Sequence, residues 1–188
     1  MFTTQRLRLR AYQPADEANL LALYNDPHIA PNITHRYVVP LNSDRFHHVK
    51  KLINDSVMFC ILEELESGTF AGFTLFMPVN GTEKNRNATW GIALCPSHWY
   101  KGYGWEVGNF MVHYAFRHLA SHRVTLTVVD GNDRAVALYK RIGFVEEGRT
   151  RKLAWINGGW RDLIHMGILE NEWAALKQAH AEGTAAAS

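Results

Sequence analysis

The chain has 188 residues, 47% of them hydrophobic and 20% charged, with a formal net charge of +2. That length suits one domain, the apolar share excludes a disordered chain, and the charge is too small to argue for a nucleic-acid partner. No apolar run approaches the roughly 18 residues that span a bilayer. The two cysteines, Cys60 and Cys95, give neither a disulfide framework nor metal spacing, so a reducing, cytoplasmic setting is expected.

Residues 4–11 alternate charged and apolar side chains, as a half-buried strand does. Pro14 and Asp16 open a helix that runs to about Tyr24, where Asn25-Asp26-Pro27 breaks it. Residues 28–40 have little periodicity and read as a shaped loop. A second helix is expected over 42–54, capped by Asn42 or Ser43. Strands follow over 57–64, 69–77 and 87–94, with turns at Glu66-Ser67-Gly68 and Asn80-Gly81, which makes an antiparallel meander.

The pattern then changes. A loop carrying Gly102 and Gly104 precedes a helix over 105–119, whose apolar residues fall at helical spacing. A β-branched strand over 123–129 leads to a helix over 132–142, stopped by Gly143. Strands over 144–155 and 160–169 are joined through Asn157-Gly158-Gly159, a hairpin signal. A short helix over 170–180 closes a single domain spanning 1–180, and 181–188 reads as a flexible tail of small residues. Strands on both sides of a strand-helix-strand-helix centre predict an α+β fold with a mixed, mostly antiparallel central sheet flanked by helices.

Two segments carry chemistry. In Lys101-Gly102-Tyr103-Gly104 the glycines let backbone approach an anion at a helix start, where unpaired amides and the helix dipole favour negative charge. The loop lacks the Gly-Lys-Ser/Thr of a nucleotide-triphosphate site and the third glycine of a dinucleotide fingerprint. Taken alone it also suits a plain tight turn. In the second segment, Asn132 caps a helix, Ala135 leaves room one turn before Tyr139, and Tyr139 supplies a phenol with an ordinary pKa of roughly 10.

Together these segments resemble the GNAT superfamily of acetyltransferases. The family's first motif, Gln/Arg-x-x-Gly-x-Gly/Ala, is matched here by Trp99-Tyr100-Lys101-Gly102-Tyr103-Gly104, with Trp99 in place of the leading Gln or Arg. The second, Asn-x-x-Ala/Ser-x-x-x-Tyr-x-x-x-Gly-Phe, is matched at Asn132, Ala135, Tyr139, Gly143 and Phe144. The opening Thr4-Gln5-Arg6-Leu7-Arg8-Leu9-Arg10 and the closing Asn157-Gly158-Gly159-Trp160-Arg161-Asp162 are similar to the RimJ/RimL-like branch, which contains ribosomal-protein N-terminal acetyltransferases.

The resemblance implies acetyl-CoA as acyl donor, no metal, and transfer by direct attack of a primary amine of a small molecule, amino acid or peptide N-terminus. It implies two parallel strands, 87–94 and 123–129, that splay apart around the thioester. Ile92, Ala93 and Leu94 would hold the pantetheine arm, with an amide at Leu94 as oxyanion donor. Trp99 to Gly104 would hold the CoA phosphates, Lys101 adding a cation, and Asn132, Ala135 and Tyr139 would complete the cofactor site. Tyr139 would protonate the leaving thiolate. Candidates for the base are His98, His113, Asp130 and Asp162, beside a water relay. The acceptor pocket is expected from Asn32, Tyr37, Trp90, Trp155 and Asp162, in segments with His28, His35, Arg36 and Trp160. With few acids there, a polycation such as spermidine is disfavoured. Cys95 reads as a small hydrophobe, and His47 and His48 are expected to point apart, away from any metal site. A homodimer is possible by analogy. The competing readings are a CoA-binding module without catalysis and a nucleotide-binding α/β domain.

Overall fold

The computed structural model describes residues 1–34, 37–78 and 83–185, without the side chains of Glu83 and of residues 180–185. The expected turn at Asn80-Gly81, the pocket residues His35 and Arg36, and residues 186–188 of the expected tail lie outside the described residues.

One eight-stranded sheet organises the chain. Its strands are β1 (Phe2–Thr3), β2 (Leu7–Arg10), β3 (Met58–Glu64), β4 (Phe70–Pro78), β5 (Asn87–Leu94), β6 (Arg123–Val129), β7 (Val145–Ile156) and β8 (Gly159–Leu169). Their spatial order is β1-β2-β3-β4-β5-β6-β8-β7, and β5–β6 is the parallel pair among antiparallel neighbours. The mixed sheet expected from the sequence is therefore present. The β7–β8 turn at Asn157 and Gly158 has positive φ at both residues, 50° and 78°, as a two-residue hairpin loop requires.

Helices cover both faces. On one lie α1 (Glu17–Asn25), α2 (Ala30–Ile33) and α3 (His47–Asp55); there Leu20, Leu23, Phe46 and Val49 pack on Ile61, Phe73 and Leu75. On the other lie α4 (Tyr103–His118), α5 (Asp133–Ile142) and α6 (Glu170–Ala185); there Val107, Met111, Ile142 and Trp173 pack on Leu7, Leu62, Val124 and Ile168. Successive strand residues point to opposite faces, so Cys60 and Leu62 join one core while Ile61 joins the other. In β4, Ala71 faces the α4 side whereas Phe73 and Leu75 face the α1 side. The register shift opposite Leu62 and Glu63 inserts one residue and resets the alternation.

Three expectations change. The loop over 28–40 contains α2, because Pro31 sits in its first turn, where a missing amide costs no helical bond. The last helix continues past residue 180 to Ala185. His47 and His48 do not point apart: their ring centroids are 3.9 Å from each other at the start of α3, before a full turn has separated them.

Strand β2 is tied down by charge. The Arg10 guanidinium lies 2.6 Å from Asp16 and 2.6 Å from Glu63, and these bonds raise its pKa above the ordinary value. This network joins β2, β3 and the turn before α1.

Candidate active site

The parallel pairing of β5 and β6 is short. It runs through Asn87↔Arg123, Ala88↔Val124 and Thr89↔Thr125 and then stops, leaving Trp90–Leu94 and Leu126–Val129 to diverge. In β5, Cys95 N–H bonds Ala71 O, so odd-numbered residues turn their backbone groups toward β4. By the alternation of an antiparallel pair, Ile92 and Leu94 turn theirs toward the gap. The Leu94 carbonyl there accepts the Trp99 indole N–H at 2.8 Å. That leaves the Leu94 amide as the strand's outermost donor in the opening.

The gap opens into a cavity of about 400 Å³. Its walls come from the ends of β5 (Ile92, Ala93, Leu94) and β6 (Thr127, Val128, Val129), from the glycine loop, from α5 and from the α2 segment. Gly102 caps α4 at φ 82°, a left-handed conformation that side chains resist. Tyr103, Gly104 and Trp105, whose amides have no partner inside the helix, line the cavity from this turn. A side chain at Gly104 would meet Leu138 at 2.9 Å, so the loop sits close against α5. Arg6 braces the loop from β2's end: its guanidinium donates to Lys101 O at 2.8 Å and to Glu106 at 2.9 Å, and lies over the Tyr103 ring at 4.7 Å. Burial pushes the Glu106 carboxyl up, but hydrogen bonds from Thr4 and Arg6 outweigh it and hold the pKa below the ordinary value.

Tyr139 reaches the same cavity from α5. Its ring meets the edge of Trp90 at 5.5 Å, and burial pushes the phenol up to about 12, so it remains a proton donor at neutral pH. Trp90 is held in turn by its indole N–H, which donates to Thr74 Oγ1 at 2.9 Å. Asn132 caps α5 by accepting the Ala135 amide, and its side-chain amide donates to Asn32 Oδ1 at 3.3 Å, so the two asparagines bridge the cavity wall.

His98 is 4% exposed, not an open loop residue, and lines the cavity. Burial holds its pKa below the ordinary value, opposed in part by Glu64. Nδ1 is 3.0 Å from Ser97 Oγ and Nε2 is 3.4 Å from Glu64, so each ring nitrogen has a protein partner.

The structure thus brings together Asn32, Ile92, Ala93, Leu94, His98, Trp99, Tyr100, Gly102, Tyr103, Gly104, Asn132, Ala135 and Tyr139. It places others elsewhere. Lys101 is not part of the wall; its ammonium reaches Glu64 at 3.5 Å. Trp90 is 3% exposed and forms the bed beneath Tyr139. Tyr37 is 94% exposed, and Trp155 stacks edge-on with Trp160 at the far hairpin, also exposed. Asp162 accepts the Lys152 amide at 2.9 Å and so fixes the irregularity in β7, because Lys152 has a φ of 53°. Asp130 pairs with Arg149 and His113 packs on Trp173, both outside the cavity wall. Cys95 Sγ points at Phe70 O, and burial raises the thiol's pKa.

His28, expected in the acceptor segment, lines the cavity; sequence reasoning missed Arg134 and Arg141, which line it too. Arg134 lies inside the second motif and Arg141 follows by seven residues, a spacing that returns to the same helix face. Among the described residues no Asp or Glu lines the cavity. No group of three His, Cys, Asp or Glu is placed to hold a metal, and no helix is long and apolar enough to cross a membrane, again among the described residues. An amide cradle with cations at one end and an apolar gap at the other suits a long ligand with an anionic tail.

Residues 6–145 match the model of the acetyltransferase (GNAT) domain family. The chain belongs to the GNAT acetyltransferase family. Over 89 residues it is 36% identical to a spermidine N(1)-acetyltransferase of Vibrio cholerae serotype O1, a match covering 47% of this chain and 51% of the relative. Over 98 residues it is 33% identical to the putative ribosomal N-acetyltransferase YdaF of Bacillus subtilis, covering 52% and 54%. The chain thus spans about half the length of these curated relatives in the matched regions. A crystal structure of spermidine N-acetyltransferase from Vibrio cholerae in complex with CoA and spermine superimposes with a TM-score of 0.78 at 27% identity, covering 89% of this chain and 98% of that one. The GNAT fold is therefore shared along nearly the whole sheet, and the cavity lies where its two parallel strands separate.

Proposed function

We propose that this GNAT protein is an acetyl-CoA-dependent N-acetyltransferase acting on a primary amine by direct attack. One observation carries the reading: the Gly102 turn, the splayed ends of β5 and β6, and the Tyr139 phenol share a single cavity. Acetyl-CoA supplies an activated acyl group. The first-turn amides of α4 hold its phosphates, and Ile92, Ala93 and Leu94 line the path of its arm. The Leu94 amide faces the carbonyl oxygen that gains charge during transfer. Tyr139 donates a proton to the departing sulfur. The amine's own proton leaves through water, with the His98–Glu64 pair as its sink; both ring nitrogens already have protein partners, which argues against direct contact. Holding both substrates in one geometry accounts for much of the acceleration.

For the acceptor, we infer an amine without further positive charge: a small amine, an amino acid or a peptide N-terminus, as in the RimJ/RimL-like branch. Support comes from the described cavity wall, which carries Arg134 and Arg141 but no carboxylate. The Bacillus subtilis relative, named as a putative ribosomal N-acetyltransferase, agrees with this reading; the Vibrio cholerae relative, a spermidine N(1)-acetyltransferase, favours polyamines. We place the protein in the cytoplasm on the free thiols of Cys60 and Cys95, as one domain over 1–180 that acts as a monomer or a homodimer.

The test is thiol release from acetyl-CoA across spermidine, single amino acids and peptides with free N-termini, with products read by mass. Acetylated peptide or amino acid with little spermidine product supports the reading. Preferred acetylation of spermidine overturns the acceptor assignment. Tight CoA binding without turnover favours a binding module, the reading that Trp99 in place of Gln or Arg supports.

A further inference from the structure

Two arginines of α5 lie on two tryptophans that bracket the glycine loop. The Arg134 guanidinium sits 3.5 Å above the Trp99 ring and 5.6 Å from that of Tyr100. The Arg141 guanidinium sits 4.9 Å above Trp105. Trp99 precedes Gly102 and Trp105 follows Gly104, so the pairs flank the exposed amides of α4 on both sides. All four side chains line the cavity. Neither arginine has a carboxylate ion-pair partner among the described residues, unlike Arg6, Arg8, Arg10, Arg123 and Arg149, each of which has at least one.

Stacking fixes a guanidinium plane through its face and leaves the edge N–H groups free for bidentate bonds to phosphate. Seven residues along a helix separate the two cations by about 10 Å, too far to serve one phosphate and suited to two separate ones. The Lys101 ammonium, by contrast, is turned to Glu64.

We propose that Arg134 on Trp99 and Arg141 on Trp105 form two phosphate clamps. Arg134 binds the diphosphate beside the α4 amides, and Arg141 binds the 3′-phosphate of the adenosine. Trp99 thereby serves as the platform for a cation delivered from the neighbouring helix, at the position where a Gln or Arg otherwise begins the glycine motif. The inference rests on the proposed CoA site and adds its charge recognition.

Calorimetric binding of CoA, 3′-dephospho-CoA and pantetheine to the full-length protein tests it. Arg134→Ala is expected to weaken CoA and dephospho-CoA alike by about 10- to 100-fold while leaving pantetheine unchanged. Arg134→Lys is expected to recover only part of that loss, since an ammonium cannot stack and fork. Arg141→Ala is expected to weaken CoA by about 10-fold and to leave dephospho-CoA unchanged. Trp99→Leu is expected to weaken CoA through Arg134, with no further loss when Arg134→Ala is added. Equal CoA affinity in Arg134→Ala and the unaltered protein overturns the diphosphate clamp. Equal losses for CoA and dephospho-CoA in Arg141→Ala overturn the 3′-phosphate clamp. A matching loss for pantetheine assigns the effect to damaged structure and overturns both. If the unaltered protein does not bind CoA, the enzymatic reading itself fails; if it binds and the variants bind as well, only the clamps fail.

Discussion

The two ends of the cavity are built from different materials. At the glycine-loop end the contacts are backbone amides, a left-handed turn and guanidinium groups, all held from several sides: Gly102 by Arg6, α4 by Glu106, α5 by the Asn132 cap. At the proposed acceptor end the wall is the short α2 segment, with His28, Ile29, Asn32 and Ile33, joined to α5 through the Asn32–Asn132 bond. The first end needs fixed spacing because amides at a helix start must meet an anion whatever the reaction. The second need only shape itself to one amine. On the proposed reading, amine specificity is set by the α2 segment, whereas donor binding is set by the glycine loop and the scaffold behind it.

Removing the Tyr139 hydroxyl tests this division most strongly. The phenol lines the same cavity, and on the proposed mechanism its proton serves only the transfer step. Tyr139→Phe is expected to lower kcat by roughly 10²-fold or more, with CoA affinity unchanged. Stopped-flow turnover and calorimetry on the same preparation check both halves. A loss of CoA affinity as large as the loss of kcat makes Tyr139 part of the donor cradle instead.

The next effect belongs to the scaffold end. Gly102→Ala imposes a side chain at φ 82° and places its Cβ 3.3 Å from the Arg6 guanidinium. About 1–2 kcal/mol of strain follows, and the turn relaxes away from the orientation that presents the α4 amides. CoA affinity is expected to fall by about 10-fold with a lower melting temperature, while KM for the amine stays close to its starting value. A rise in amine KM without a change in CoA affinity breaks the assignment of the loop to the donor.

These differences also explain what the sequence revealed. β5 and β6 stand at the residues their β-branched and alternating runs marked, 87–94 and 123–129, because period-2 burial is a local signal. The meeting of Gly102, Gly104, Asn132 and Tyr139 at one cavity was legible because it follows from helix starts and stops at fixed offsets. Trp90 was misplaced: a tryptophan next to a gap looks the same in sequence whether it lines the gap or, as here, lies beneath Tyr139 with its N–H bonded to Thr74. Lys101 was assigned to phosphate because its sequence neighbours are the glycines, yet its partner Glu64 comes from β3, 37 residues away. The expected acceptor residue Asp162 turns out to bond the Lys152 amide, a pairing that depends on the β7–β8 register shift rather than on any motif.

A smaller effect separates the His98–Glu64 pair from the remaining histidines. Burial lowers the His98 pKa, so the unfolded chain takes up a proton at this site before the folded one does. The contribution to stability is fully present above the ordinary value of 6.5, and it is lost as pH falls through 6.5 toward the lowered folded value. His98→Gln removes this linkage. The drop in melting temperature between about pH 7.5 and 5.5 is expected to be shallower in the variant than in the unaltered protein. The other nine histidines are the same in both proteins, so the comparison isolates His98. A steeper drop in the variant means that the folded pair binds the proton and that His98 is held by charge instead of burial. In the same variant, loss of the acidic limb of the kcat/KM profile supports the pair as proton sink, and an unchanged profile leaves water alone in that role.

The smallest expected effect lies farthest from the gap. Trp155 and Tyr37 are aromatic, exposed and absent from the cavity wall. If amine specificity resides in the α2 segment alone, Trp155→Ala and Tyr37→Ala change kcat/KM by no more than about twofold, the range of ordinary surface substitutions. Asn32→Ala, which removes the bond to Asn132 at the cavity wall, is expected to shift the amine KM clearly more than either. A peptide acceptor gives the sharpest version of the comparison, because a chain longer than the cavity must extend past its mouth. Should Trp155→Ala raise KM for a long peptide and spare a single amino acid, the far hairpin is a secondary contact for the extended part of the acceptor. The boundary between scaffold and specificity then moves from the cavity wall out to the β7–β8 turn.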